Sequence, residues 1–360
     1  MTDIVIIGGG ISGLLSAREL ARAGAKVRLL ERGELARESS WAGGGILSPL
    51  YPWRYSDPVT RLARWSQTHY PQLTEELHAR SGIDPEYIRS GLLMVSEEET
   101  ATARNWAEAW GYDLHAVDAA TLSDLEPARQ PPPRRALWMP EVAQVRNPRL
   151  VRALIEDLKR SGVELRTHTE VARILHQHGR VQGVSTQKEK IAAEQVVVCS
   201  GAWTGLLLPP PKVEIRPMRG QMLLFKAEPG IITRIMLEQN RYVIPRKDGR
   251  VLFGSTLEDT GYDKSTTEEA YKELHDIAVS RFPVLAGYPV ERHWAGLRPA
   301  SPKGVPYIGE HPEIRHLFFN AGHFRNGVVL APASARLLAD LLLRRTPLFD
   351  PQYYALDAAR

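Results

Sequence analysis

The first 31 residues constrain this chain more than any others, because they hold the pieces of one supersecondary unit in the right order. Asp3-Ile4-Val5-Ile6-Ile7 is an apolar run too short for a helix, and it enters Gly8-Gly9-Gly10-Ile11-Ser12-Gly13, a G-x-G-x-x-G, without an intervening loop. Leu14, Leu15, Ala17, Leu20 and Ala21 then recur at helical spacing before Gly24, and Lys26-Val27-Arg28-Leu29-Leu30 reads as a second strand ending in Glu31. A glycine turn between strand and helix lets backbone amides crowd a pyrophosphate at the helix N-terminus, where aligned peptide dipoles favour negative charge. The acid closing the second strand can take ribose hydroxyls. Gly8, Gly10, Ile11, Ser12, Gly13 and Glu31 are therefore candidate dinucleotide-binding residues. A bare G-x-G-x-x-G recurs by chance; the flanking strands, helix and acid carry the assignment. No G-x-x-x-x-G-K-[ST] occurs, which excludes that kind of nucleotide hydrolase loop.

At 360 residues and 43% hydrophobic content the chain can bury a substantial core, and two domains are expected. The net charge of +4, from 46 basic and 42 acidic residues, forms no run or stripe, so neither a nucleic-acid nor a membrane-surface partner is expected. The one cysteine, Cys199, lies in the apolar run Val196-Val197-Val198 and reads as a small buried strand residue, and no intramolecular disulfide can form. The glycine motif starts too early for a signal peptide, and no run of about 18 apolar residues is present. Val328 to Leu343, with Pro332, Arg336 and Asp340, reads as an amphipathic helix. A cytoplasmic protein is expected.

Downstream, Arg37 to Ile46 is a turn-rich segment whose Gly43-Gly44-Gly45 permits close approach to a flat ligand, a linker being the other reading. Helices are expected over Pro58–Ser81, Glu97–Trp110 and Pro148–Ser161. Strands are expected at Gly91–Val95, Val163–Thr167, Val171–His176, Arg180–Ser185 and Gln195–Cys199. Pro127 to Arg135 and Pro209-Pro210-Pro211 read as crossings between domains. From Arg216 to Ala295 the pattern turns β-rich (Gln221–Phe225, Arg241–Pro245, Val251–Gly254) with one helix near Thr267–Phe282, and this is the expected substrate domain.

The tail holds Gly296-Leu297-Arg298-Pro299, Pro306-Tyr307-Ile308-Gly309 and Ala321-Gly322-His323-Phe324-Arg325-Asn326-Gly327. In this order, with the N-terminal motif and Ser39-Ser40, these segments resemble the D-amino-acid-oxidase superfamily of flavoproteins, and most closely its glycine oxidase branch in thiamine biosynthesis. The resemblance covers nearly the full length and is weakest at about residues 50–140. It implies an α/β chain: a glutathione-reductase-type Rossmann domain binding FAD (1–85, 141–211 and 296–345), interrupted by an α+β substrate domain with a mostly antiparallel sheet (86–140 and 212–295), and a tail at 346–360. It also implies Ile11 and Ser12 at the pyrophosphate, Glu31 and Arg32 at the ribose, and Ser39, Ser40, Gly44, Gly45 and Ile46 along the flavin. Val171 falls on the adenine side, and His323, Phe324, Arg325, Asn326, Gly327, Val328 and Val329 wrap the flavin ring. Arg298, Arg325 and Tyr242 are the implied substrate residues. Leu257, after Gly254-Ser255-Thr256, and the Tyr51–Tyr55 loop depart from the branch's pattern and bear on side-chain selectivity.

Chemistry independent of the resemblance supports part of this. A small amino acid offers one strong handle, its carboxylate, and a guanidinium grips it with two parallel charge-assisted bonds. Arg298 sits among Trp294, Leu297 and Pro299, too apolar a setting for a solvated surface arginine, whereas a structural ion pair competes more strongly for Arg325. By residue type alone Tyr242 reads as a core or hairpin tyrosine. His323 beside glycines reads as a turn residue rather than a general base, and removal of a hydride from the substrate α-carbon by flavin needs no catalytic acid or base. No cysteine follows Cys199 to tether flavin, so the FAD is expected to be noncovalent, and no metal site is expected. The implied activity is oxidative deamination of glycine, sarcosine or a small D-amino acid, with molecular oxygen as acceptor and a homotetramer as the assembly. The competing reading is a dehydrogenase on the same scaffold passing electrons to a quinone, for which the apolar loop Leu47 to Trp53 is the candidate membrane-docking surface. A flavin-binding module without turnover is disfavoured by the paired arginines.

Overall fold

The computed structural model describes residues 3–96, 98–208 and 213–358. β1 (Asp3–Ile7), α1 (Ile11–Arg22) and β2 (Lys26–Leu30) form the predicted unit, followed by a single turn, α2 (Ser39–Ala42). The long α3 (Asp57–Ser81) leads to β3 (Leu92–Val95), α4 (Thr100–Trp110), β4 (His115–Asp118), α5 (Ala119–Leu125) and β5 (Arg135–Met139). After α6 (Asn147–Arg160) come β6 (Glu164–Arg166), β7 (Val171–Gln177), β8 (Arg180–Thr186), β9 (Lys190–Ala192), β10 (Gln195–Val198) and another single turn, α7 (Thr204–Leu207). The rest is β11 (Arg216–Lys226), β12 (Ile235–Glu238), β13 (Arg241–Pro245), β14 (Arg250–Gly254), α8 (Glu268–Arg281), β15 (Val290–Ala300), β16 (Tyr307–Glu310), β17 (Leu317–Ala321) and α9 (Gly327–Leu342).

A six-stranded sheet runs in the order β16-β17-β10-β1-β2-β6, parallel except for β16. β1 reads as a continuous apolar run because both faces are covered. Ile4 and Ile6 face the core under α1, α3, α6 and α9, while Val5 and Ile7 pack with Val181, Val184 and Ile191 of the three-stranded sheet β7-β8-β9. An eight-stranded sheet, β15-β11-β14-β13-β12-β3-β5-β4, is antiparallel except where β12 meets β3. Its strands alternate in the two-residue rhythm of a pleat: Met222, Tyr242, Ile244 and Leu252 share one face, and Leu223, Val243, Val251 and Phe253 pack on the other around Leu274 and Ala278 of α8.

Several expectations need correction. Pro127 to Arg135 does not carry the chain between sheets: it joins α5 to β5, whose neighbour β4 precedes it, and Arg129 pairs with Glu238 at 3.1 Å inside the same region. Pro209-Pro210-Pro211 lies outside the described residues. β15 runs unbroken through the boundary expected at residue 296, because β11 pairs with it along nearly its whole length. The α9 helix is buried on every side but that of Arg336, since α1 and α3 both pack on it; its Asp340 is paired with Arg336 at 3.0 Å. No helix among the described residues is long and apolar enough to cross a membrane.

Candidate cofactor and substrate site

One cavity runs from the glycine turn at the end of β1 to the face of the eight-stranded sheet that carries Met222, Tyr242 and Arg298. The three motif glycines serve different ends. At Gly8 (φ +108°) a Cβ would lie 2.5 Å from the Cys199 carbonyl oxygen, and at Gly13 it would lie 2.0 Å from the Gly8 oxygen, so these two let strands and helix close on one another. At Gly10 a Cβ would meet only the Ser40 hydroxyl, at 3.2 Å, which leaves the cavity side open for a ligand. The α1 N-terminus has no acidic residue in its first turn and no side-chain cap at Gly10, and the Ile11 amide donates to Ser40 Oγ at 2.9 Å.

Glu31 accepts from the Gly9 amide at 2.7 Å and the Gly33 amide at 3.0 Å while lining the cavity, so its remaining lone pairs are what a ribose would meet. Arg32 is committed sideways: its guanidinium lies 3.8 Å over the Trp203 ring and reaches Glu38 at 3.4 Å. Thr169, Glu170 and Val171 form the wall beside it.

The Gly43–Ile46 segment is pinned from behind. Arg246, buried, donates to the Gly44 carbonyl (2.7 Å), the Val145 carbonyl (3.1 Å) and Gln144 Oε1 (2.7 Å), and Trp294 Nε1 donates to the Ala42 carbonyl at 3.0 Å. Burial lowers the Arg246 guanidinium to about 10, with Arg146 acting the same way. Gly45 (φ +79°) lies so close to Val145 that a Cβ would sit 2.1 Å from its carbonyl oxygen.

At the far end, Arg298 Nη1 donates to the carbonyls of Arg219 (3.3 Å) and Thr256 (3.2 Å), and Nη2 donates to Ser255 Oγ at 2.5 Å. Burial depresses its pKa; Tyr242 opposes the shift and Arg325 adds to it. Glu258, a carboxylate that acts on it through space, is itself bonded to Arg219 at 2.5 Å. Arg298 is therefore a half-buried cation whose charge no carboxylate among the described residues pairs with directly, in the wall that Tyr242 and Arg325 share. The Tyr242 hydroxyl lies 3.6 Å from Met222 Sδ, and Arg325 stacks 5.4 Å over Phe324.

Around this cavity the structure gathers every candidate residue except Gly13, Asn326 and Val329. Gly13 is spent on helix–strand packing, Asn326 is 2% exposed beneath the turn, and Val329, in the first turn of α9, is 1% exposed and faces the core. His323 lines the wall, but its ring turns inward to Ser334 Oγ (3.0 Å), and burial lowers its pKa to about 4. That geometry suits a neutral structural histidine rather than a base. Leu257 lies outside the wall and is 44% exposed, so the departure from pattern there cannot shape the pocket. Leu47, Tyr51 and Trp53 are buried, which removes the apolar docking surface that the quinone-dependent reading needs. Sequence reasoning missed Gly220, Met222, Asn240, Ser255 and Gly296 in the wall; a glycine inside a strand, such as Gly220, was the available signal.

FAD fits what is here. Asn320 Oδ1 is buried with no hydrogen-bond partner among the described residues, in a residue that lines the cavity, as an acceptor for a ligand hydroxyl would be, and the open face of Gly10 is the place a pyrophosphate needs.

Comparison with known proteins agrees. Residues 3–341 match the DAO family model, described as FAD dependent oxidoreductase. The chain is 47% identical over 356 residues to a glycine oxidase of Pseudomonas putida, covering 98% of each chain. It is 32% identical to the "Bifunctional protein ThiO/ThiG" of Trichormus variabilis, covering 98% of this chain and 55% of that one. The solved glycine oxidase of Bacillus cereus superposes with a TM-score of 0.92 at 28% identity, covering 100% of this chain and 99% of that one. This chain belongs to the DAO family of FAD-dependent oxidoreductases.

Proposed function

We propose that the protein oxidises glycine, and similarly small amines such as sarcosine or small D-amino acids, to the imine, which water converts to glyoxylate (or, from a D-amino acid, the corresponding 2-oxo acid) and ammonia or amine while oxygen becomes hydrogen peroxide. The observation that carries this reading is Arg298, a half-buried guanidinium facing the cavity with no carboxylate partner among the described residues. A substrate carboxylate supplies the missing charge, and the two-pronged contact orients the α-carbon. Tyr242 and Arg325 complete the carboxylate pocket, and no side chain need take a proton in a rate-determining role. FAD, when bound, would supply the redox chemistry as a hydride acceptor. Gly8, Gly10, Ile11, Ser12 and Glu31 would hold its pyrophosphate and ribose, Gly44 to Ile46 with His323, Phe324, Arg325, Gly327 and Val328 would flank its ring, and its attachment to the protein would be noncovalent. The six-stranded sheet with its helices serves as the FAD domain and the eight-stranded sheet as the substrate domain.

The fused ThiO/ThiG relative supports a place for the reaction in thiamine thiazole synthesis. The protein works in the cytoplasm as a homotetramer. Anaerobic addition of glycine to the purified yellow protein tests the core of this: the flavin absorbance should bleach, more readily with glycine or sarcosine than with a bulky D-amino acid, and denaturation should release the flavin. A preference for the bulky substrate, or flavin retained on washed polypeptide, overturns the corresponding part.

A further inference from the structure

The Arg298 guanidinium lies directly over the α-carbon of Gly220. The β11–β15 register pairs Gly220 with Gly296 and Met218 with Arg298, which makes Gly220 and Arg298 diagonal neighbours on one face of the sheet. A Cβ built on Gly220 would fall 2.0 Å from Nη1, 2.2 Å from Nη2 and 2.3 Å from Cζ of Arg298. Real Cβ atoms keep beyond 3.0 Å of such neighbours, so any side chain at this position displaces the guanidinium by about an ångström.

The residues whose acceptors hold the guanidinium there are themselves anchored by other bonds. The Arg219 carbonyl belongs to a β11 residue whose own amide is bonded to Glu258; the Thr256 hydroxyl is tied to the Gln221 amide at 2.8 Å; the Ser255 carbonyl accepts from Arg241 at 2.9 Å. Because Arg298 is the far end of a flexible side chain, the fold can absorb the collision by moving it, and the loss falls on the site rather than on stability.

We propose that Gly220 is a positioning residue, the bare floor on which the Arg298 guanidinium lies so that its fork faces a small amino-acid carboxylate, with Ser255 as the lateral stop. This rests on the reading of Arg298 as the carboxylate holder. Gly220 also lines the cavity, so its missing side chain sets the depth of the pocket at the carboxylate end.

The test uses FAD-loaded protein and acetate, a carboxylate that cannot be oxidised, followed through the change it makes in the flavin spectrum, together with glycine kinetics. Gly220→Ala should keep its FAD content and thermal midpoint while acetate affinity and kcat/KM for glycine fall about ten- to a hundredfold, the scale of a small misplacement in a reacting pair. Ser255→Ala should fall in the same direction by less, and serves if Gly220→Ala does not fold. Adding Gly220→Ala to Arg298→Ala should change acetate affinity no further than about twofold. Gly220→Ala within twofold of the parent while Arg298→Ala has lost acetate overturns the seat and leaves the Arg298 reading standing; so does a double variant showing the full extra loss. Acetate affinity unchanged in Arg298→Ala instead overturns the reading of Arg298, and the proposal with it.

Discussion

At the glycine-turn end of the cavity, residues 8–13 offer backbone, all from one continuous stretch of chain, whereas at the Arg298 end the wall is made of side chains drawn from β11, β13, the exit of β14 and β15. The first end depends on atoms being absent: Gly8 and Gly13 let Cys199 and the α1 helix approach, and Gly10 leaves room for a ligand. The second depends on one cation being aimed by acceptors 42, 43 and 79 residues away in sequence, those of Thr256, Ser255 and Arg219. A backbone-built site fails through the fold, while a side-chain-built site fails through orientation. Gly220 crosses this division, being a glycine that acts at the side-chain end.

The largest effect expected is at Gly13. Gly13→Ala puts a Cβ 2.0 Å from the Gly8 carbonyl, which is backbone and cannot swing aside, so purified protein should carry little or no flavin and melt earlier. Gly10→Ala should fold normally and bind FAD more weakly, since only the Ser40 hydroxyl is nearby. Flavin-to-protein absorbance ratios separate the two; full occupancy in both variants would break the distinction between packing and binding glycines.

Next comes Arg298→Ala, which should lower kcat/KM for glycine roughly thirty- to a thousandfold through loss of a charge-assisted double contact. The flavin spectrum and FAD content should stay near those of the parent, because the glycine-turn end is untouched. Lysine at 298 should recover only part, a point charge being unable to reproduce the fork. Activity within about threefold of the parent in Arg298→Ala would shift the carboxylate role to Arg325.

His323 separates wall from function. Its folded pKa of about 4 lies below the ordinary 6.5, so as pH falls through this window the unfolded chain takes up a proton that the folded chain refuses. Stability present above pH 6.5 is therefore lost progressively toward pH 4, by about 3 kcal/mol from this group alone. Urea midpoints at pH 7 and pH 4.5 should drop less in His323→Gln than in the parent. An equal drop in both would show that the ring is not held neutral in the core.

The smallest effect is expected at Leu257, whose side chain stands in solvent outside the cavity wall. Leu257→Ala should leave the ranking of glycine, sarcosine and D-alanine, and each kcat/KM, within about twofold. A changed ranking would mean that the wall near Ser255 extends further than the structure places it.

What the sequence determined by itself was the N-terminal unit, from β1 to Glu31, and with it the class of cofactor. Its requirements are local: an apolar run, glycines at fixed spacing, a helical rhythm and an acid, all within one segment whose backbone geometry those residues dictate. The strands at 171–186, 195–198 and 241–254 were legible for the same reason, as alternating or continuous apolar runs. Only the tertiary structure decided that α9 is buried rather than amphipathic, since that depends on both α1 and α3 reaching it. It alone turned Asn326 and Val329 into the core, left Leu257 in solvent, and placed Arg246 behind Gly44 across a separation of 202 residues. The pairing of Gly220 with Gly296, which lays Arg298 over a bare α-carbon, follows from the register of two strands far apart in the chain. Register is fixed by which faces are buried on the whole sheet, and no stretch of chain carries that information alone.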